Sequence, residues 1–336
     1  MLQPLPSVTF VTCTYNSEQL IKGALDSIAR QDYPKSKIKV LVIDGFSTDK
    51  TLLIVRRFPF TSVFRIKTDG PEIATALGYQ KANSDYIVNF PSDNVILDKQ
   101  WLKRMVAPLE KNKKIVASET FRYAYVRKDS MMNRYYSLFG VNDIVAYYLD
   151  KRDRATYFEN SWCLKAPATD CGDYYLAKFN ESTLPTVGAN GFVIRKKYAH
   201  MIAKKPALFF HMDTCLDLVK QGYNSFAFVK TDIWHRTAED VLSFMRKRKR
   251  YILILYFKKL KVRRYHIFDY KRDMLKLMIF IFFACTFIEP TYQAVRGFLK
   301  KPDHAWFLHP IVSFLTVINY AYTLLIYILY ERRSEI

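Results

Sequence analysis

Four short stretches place groups capable of directed chemistry where apolar runs end: Thr14-Tyr15-Asn16, Asp44, Asp69 and Asp93. Carboxylates gathered at one edge accept strong, directional hydrogen bonds and suit hard cations. Four such ends on one sheet edge predict a converging site. Asp49 reads equally well as a helix cap.

The elements that must position these groups are legible. Residues 7–13 (SVTFVTC) and 39–43 (KVLVI) are β-branched, apolar runs of strand length, and 62–66 and 85–90 (DYIVNF) follow the same pattern. Residues 20–31, 51–58 and 72–82 have helical spacing, with Asn16 or Ser17 expected to cap the first. Strands alternating with helices across short connections predict an α/β fold with a parallel, doubly wound sheet and a site at the carboxyl ends of its strands. Further on, LPTVGANGFVIR (184–195) reads as a glycine turn into a strand. HMDTCLDLVKQGY (211–223) starts a helix, and 225–229 is a late strand before TDIWHRT. Residues 120–185 are rich in tyrosine. They fit a ligand wall, a membrane-interface surface or a tyrosine-rich core layer.

Half of the 336 residues are hydrophobic and 16% aromatic, which excludes a disordered chain. A formal charge of +21 calls for an anionic partner. The charge is concentrated: thirteen Lys and Arg between Arg246 and Lys276 are opposed only by Asp269 and Asp273. Two apolar segments follow. One starts at 274, meets Glu289-Pro290 and continues to 298; the other, 310–330, is uncharged and long enough for a bilayer core. A basic belt beside apolar segments points to an anionic membrane surface and away from nucleic acid. Two spans would return the C-terminus to the cytosolic side. Arg296, Lys300 and Lys301 between them fit a shallow hairpin instead. The five cysteines form no CxxC pair, so neither a disulfide framework nor a zinc site is expected, and a reducing cytosol is the simplest setting. The first residues lack a basic n-region, so no secretory signal is expected.

The segments VTFVTCTYNSEQLIKGALDSIARQDYP, VLVIDGFSTDKT, YIVNFPSDNVI and FHMDTC stand in the order and at the spacing of the family 2 glycosyltransferases. Residues 6–240 resemble that family's GT-A domain. The resemblance implies a Rossmann-like, mostly parallel catalytic domain over 1–240; the basic belt and apolar segments are read as basic interfacial helices over 241–273 and two membrane-embedded helices over 274–336. It places Thr14, Tyr15 and Glu18 near the nucleoside, Asp44 on the base or ribose, and Asp69 on the nucleotide. Asp93 keeps the last aspartate of the family's Asp-x-Asp motif, with Pro91 in place of the first. His235 matches a late histidine that serves as second ligand to Mg²⁺ or Mn²⁺. Asp213 matches the base, with Met212 replacing the usual Glu before it and Asp217 the alternative one turn on. Backbone amides from Gly188 to Asn190 would approach the donor sugar, as glycine permits. Ala76 stands where the family often has Asn.

These matches imply an inverting, metal-dependent transfer from a UDP- or GDP-sugar to a lipid-linked acceptor, a polyprenyl-linked glycan, by an integral membrane protein with a cytosolic catalytic domain. A polyprenyl-phosphate monosaccharide synthase and a catalytically silent nucleotide-sugar-binding protein are the alternatives. Nucleic acid is not an expected partner, and self-association is left open.

Overall fold

The computed structural model describes residues 4–68, 70–257 and 259–331. The chain packs as two compact units. One comprises residues 1–124 and 165–235, the other 125–164 and 236–336. The sequence reading runs the catalytic domain unbroken to 240; by packing, 125–164 belongs with the C-terminal third.

The first unit is built on a sheet that has ten strands among the described residues. These are β1 (Val8–Thr14), β2 (Ile38–Asp44), β3 (Thr61–Arg65), β4 (Tyr86–Asn89), β5 (Asn94–Val95), β6 (Ala117–Tyr123), β7 (Ala168–Asp170), β8 (Tyr174–Lys178), β9 (Phe192–Arg195) and β10 (Ser225–His235). Their order is β3-β2-β1-β4-β9-β6-β10-β8-β7, with β5 paired to β10. In β1 every residue but Cys13 is buried, as expected for a central strand covered on both faces, whereas β3 is a largely exposed edge. The helices of this unit are α1 (Ile21–Ala29), α2 (Thr51–Val55), α3 (Pro71–Lys81), α4 (Trp101–Lys111), α7 (Lys196–Ile202) and α8 (His211–Lys220). Neither Asn16 nor Ser17 caps α1 with its side chain; the Ser17 carbonyl accepts from the Leu20 and Ile21 amides instead.

The sheet is mixed and mostly parallel, as the resemblance implies: β9 runs antiparallel between β4 and β6, and β5, β7 and β8 also pair antiparallel. Phe192, the first residue of β9, pairs with Asn89, the last of β4. An antiparallel strand starts where its parallel neighbours finish, so the loop feeding β9 is delivered to the carboxyl edge.

The second unit is helical: α5 (Met131–Phe139), α6 (Ile144–Tyr148), α9 (Val241–Tyr251), α10 (Tyr270–Thr286), α11 (Ile288–Lys300) and α12 (Leu308–Ile326). The tyrosine-rich stretch supplies its core. Tyr135, Tyr136 and Phe139 are buried, and Phe139 packs edge-on to Trp306 at 5.1 Å. The first apolar segment does not form one helix over 274–298. It breaks at Phe287, which has φ 60°, and α10 and α11 meet at 79°. Pro290, three residues on, lacks an amide hydrogen and its ring disfavours the preceding turn, so a straight helix cannot run through. Among the described residues one helix is long and apolar enough to cross a membrane, His304–Leu329, with mean hydropathy 1.8.

Gly78 sets the closeness of α3 to the sheet. A Cβ there would lie 2.2 Å from Val11 Cγ1 and 3.3 Å from Ile43 Cγ1. Gly78→Ala gains about 1 kcal/mol of helix propensity. Overpacking a stiff β-branched neighbour in a core costs about 1–3 kcal/mol, and at this overlap the upper end applies. The variant's thermal midpoint should fall by a few degrees; an unchanged or raised midpoint would mean that α3 does not sit this close.

Candidate active site

The centre of the carboxyl edge is formed by the loop after β4 and the last residue of β10. His235 pairs with Asn94, and Trp234 with Val95, in a two-residue antiparallel ladder. Asp93 therefore faces His235, with Oδ2 3.3 Å from Nε2, and the two side chains are 21% and 11% exposed. A register shift between Val229 and Asp232 interrupts the pairing of β10 with β6, which resumes at Asp232–Arg122 and Ile233–Tyr123. Asn94 Nδ2 donates to Asp93 Oδ1 (3.0 Å) and to Asn190 Oδ1 (3.2 Å). Asn190 Nδ2 in turn donates to the Tyr123 hydroxyl (3.2 Å), whose ring lies 5.8 Å from that of His235. Asn94 Oδ1 is buried with no hydrogen-bond partner. Asn190 has φ 54°, a left-handed conformation that Asn tolerates better than most residues. Asp93, His235 and Asn190 are thus one cluster.

A second group lies at the ends of β1 and β2, where Thr14 and Asp44 are register partners. Thr14 Oγ1 is buried without a hydrogen-bond partner. Asp44 is fully buried; its carboxylate accepts from the Ser47 amide and from Arg65 Nε, 3.2 Å away. Two loops are locked together beside it. Glu18 Oε2 accepts from the Lys50 amide and Asp49 Oδ2 from the Glu18 amide. Asn16 Oδ1 accepts from the Thr48 amide. Glu18 and Asp49 therefore shape the turn, while Tyr15, 64% exposed, is the side chain left in the open. Ser92 Oγ donates to Ser17 Oγ (3.2 Å), tying this group to the loop carrying Asp93. Asp69 lies outside the described residues.

Asp213 stands in the first turn of α8 and is 1% exposed. The start of that helix is held by Glu72 from α3, which accepts from the His211 amide (3.0 Å) and pairs with His211 Nδ1 (2.8 Å). Gly188 abuts the same turn, since a Cβ there would meet the His211 carbonyl at 3.1 Å. The Gly188 carbonyl accepts from Asn89 Nδ2 and its amide donates to Glu119. That amide is thus directed into the protein rather than toward a ligand.

Sequence reasoning missed Glu72, Glu119, Tyr123, Arg65 and His211. Glu119 carried a signal: an acid inside a strand-like run is costly to bury unless it is hydrogen-bonded, and Glu119 is fully buried. The others carried none, because their partners are distant in the chain.

The class follows from this architecture. A mostly parallel sheet with an acidic, histidine-bearing carboxyl edge is the GT-A arrangement. The structure of a mannosyltransferase, PcManGT from Pyrobaculum calidifontis, in complex with GDP-Man and Mn²⁺, superposes with a TM-score of 0.53 at 16% identity, covering 94% of this chain and 87% of that one. Residues 9–162 match the family model described as Glycosyl transferase family 2. That match takes in a little under half of the chain.

Curated relatives agree. The poly(ribitol-phosphate) beta-N-acetylglucosaminyltransferase TarS of Staphylococcus aureus is 33% identical over 104 residues, 30% of this chain and 18% of its own. Glycosyltransferase AglE of Haloferax volcanii is 28% identical over 140 residues, 40% and 46%. A dolichyl N-acetyl-alpha-D-glucosaminyl phosphate 3-beta-D-2,3-diacetamido-2,3-dideoxy-beta-D-glucuronosyltransferase of Methanococcus voltae is 26% identical over 113 residues, 32% and 35%. The matches span less than half the length of each relative.

Cys13, next to Thr14 at the end of β1, reports on how well this edge is sealed. Burial pushes its thiol from 9.0 up to about 12; the Glu72 carboxylate adds to this, and the hydrogen bond with Thr75 works against it. The thiolate is the nucleophile, so iodoacetamide at pH 8 should label Cys13 roughly 1,000-fold more slowly in the folded protein than in urea. The contribution to stability is fully present below pH 9.0, where the unfolded thiol stays protonated, and is lost as the pH climbs toward 12. Equal labelling rates, read by mass spectrometry, would show the edge to be open.

Proposed function

We propose that the chain is a membrane-attached, inverting sugar transferase. In this reading it moves a sugar from a nucleoside-diphosphate sugar to a lipid-linked acceptor at the cytosolic face. The observation that carries the reading is the Asp93–His235 pair at the carboxyl edge, set beside Thr14 and Asp44.

A divalent cation fits the pair. The carboxylate oxygen suits Mn²⁺ or Mg²⁺, and the imidazole nitrogen favours Mn²⁺ of the two, Mg²⁺ being the harder cation. Among the described residues no group of three His, Cys, Asp or Glu surrounds them, which leaves the remaining positions to diphosphate oxygens and water. Asp93 and His235 would hold the ion, which when bound offsets the charge of the departing nucleoside diphosphate. Thr14 and Tyr15 would flank the nucleoside. Asp44 would reach the base or ribose if Arg65, half-exposed beside it, gives way. Asn190, anchored to Asn94 and Tyr123, would present its loop to the donor sugar.

In the transfer, the acceptor oxygen forms a bond to the anomeric carbon on the face opposite the diphosphate. The carbon–diphosphate oxygen bond breaks, and the acceptor's proton passes to Asp213. The acceptor class is supported by the dolichyl-phosphate substrate in the name of the Methanococcus relative and by the apolar helix His304–Leu329. One observation favours a second reading: Asp213 is 1% exposed. A polyprenyl monophosphate acceptor is already an anion and needs no base, so Asp213 would then only shape α8.

The test uses the full chain in detergent with a panel of UDP- and GDP-sugars, Mn²⁺ or Mg²⁺, and a membrane lipid extract. Nucleoside diphosphate release and label entering lipid are both followed. Label should enter lipid, require metal and disappear in Asp93→Ala. Asp213→Asn should lower transfer by about 100-fold or more while leaving donor binding within a few-fold. Transfer persisting in Asp213→Asn would favour the monophosphate acceptor. Donor binding with no release from any sugar would overturn the transferase reading.

A further inference from the structure

The inward face of α12 carries polar residues beside the apolar Val312. His309, Ser313, Thr316 and Thr323 are buried, while Ile311, Ile318 and Leu325 are exposed on the other side. His309 Nδ1 and Nε2 meet the hydroxyls of Tyr135 (2.9 Å) and Tyr148 (3.1 Å). Further along, the Tyr320 hydroxyl donates to Asp143 (2.6 Å) and accepts from Arg248 (2.9 Å), and Arg248 also pairs with Asp143. Asn319 Nδ2 donates to the Met245 carbonyl, and Lys249 Nζ sits 4.6 Å from the Tyr322 ring centre. The basic helix α9 is therefore strapped to α12 around residues 319–322.

At about 1.5 Å per residue, Tyr320 lies about 24 Å from His304 and about 14 Å from Leu329. Were the helix to stand across a hydrocarbon core of about 30 Å, residues 319–322 would fall well inside it from either end. Asp143, Arg248 and Lys249 would be carried there, with the exposed Arg246 and Arg250 of the same basic helix, at a cost that isolated intramembrane charges rarely meet. With α12 parallel to the surface, the same contacts keep α9 at headgroup level, where Lys and Arg attract anionic lipid.

The bent pair agrees. By the same rise, α10 measures about 26 Å and α11 about 20 Å, so neither crosses alone. Both expose an apolar row with helical spacing: Leu275, Met278, Ile279 and Phe282 on α10, and Ile288, Tyr292, Val295 and Leu299 on α11. On α10 the inward face is apolar as well, with Leu277, Phe280 and Ile281 in the helical core, whereas α11 sets its row against Glu289, Gln293, Arg296 and Lys300, the form of a helix lying in an interface.

We propose that the helical unit embeds in one leaflet of an anionic bilayer, with α12 in the membrane plane and no helix crossing. The inference rests on the membrane attachment proposed above and replaces the spans with a one-sided anchor.

The test reconstitutes the full chain with phosphatidylcholine vesicles containing or lacking phosphatidylglycerol. Flotation reads attachment. In a background with its cysteines replaced, spin labels at Ile311→Cys, Ile318→Cys and Leu325→Cys, all on the exposed face, read depth along α12. Flotation favoured by phosphatidylglycerol, with the three labels at similar depth, is the expected result. A Lys301→Cys variant should also react with an impermeant maleimide from the side on which the sheet-bearing unit is digested by protease. Labels at graded depths through the midplane, or a Lys301→Cys site shielded on that side, would overturn the one-sided anchor while leaving attachment intact. Failure to float with either vesicle would overturn attachment itself.

Discussion

The candidate site depends on a ladder of two residue pairs. Asn94 and Val95 leave the path of β4 and pair with the last residues of β10, and this alone puts the Asp93 carboxylate beside the His235 imidazole. A tail strand of that kind is held by few backbone hydrogen bonds, so the surroundings must fix it. They do so through a side-chain chain running Asp93, Asn94, Asn190 and Tyr123. Two of its links, Asn94 to Asn190 and Asn190 to Tyr123, join different segments, and β9, paired against β4, begins just after Asn190. A broken link would leave a further buried polar atom unpaired beside Asn94 Oδ1, which already has no partner, so the links that are made hold the geometry.

Two departures from the family pattern read differently once the fold is known. Pro91 stands where the resemblance implies an acid, and the group that faces Asp93 is His235 at the end of β10. Met212 removes the acid before Asp213, yet the start of α8 still has a carboxylate: Glu72 of α3 binds the His211 amide and its ring nitrogen. An anion at a helix N-terminus also complements the helix dipole. The position of negative charge is thus kept while its source in the chain changes. Buried Glu119 uses both carboxylate oxygens as acceptors, Oε1 from the Thr120 amide and Oε2 from the Gly188 amide, which a carboxamide could not do.

The helical unit shows how hydropathy and packing can point to different geometries. By composition His304–Leu329 is a span; its buried face carries polar residues beside Val312 and is linked to a helix dense in arginine and lysine. Hydropathy sums over a helix, whereas orientation in a bilayer depends on which face the apolar residues occupy and on what the other face is bonded to.

Much of the first unit was readable from the chain. Apolar β-branched runs bounded by turns fixed β1, β2 and β4 to within a residue or two, because strands covered on both faces leave an unbroken hydrophobic signal. The acidic ends Asp44 and Asp93 followed from those strands. The apolar character of the last sixty residues and the basic belt before them were equally plain. Tertiary structure decided what those groups do to one another. It spent Glu18 on a backbone amide, closed Asp44 with Arg65, sank Asp213, turned β9 against its neighbours and broke the first apolar segment at Phe287. Local pattern reports burial and turn chemistry. The pairing of Asp93 with His235, or of Glu72 with His211, arises from contacts between distant segments, which leave no periodic trace in a single sequence.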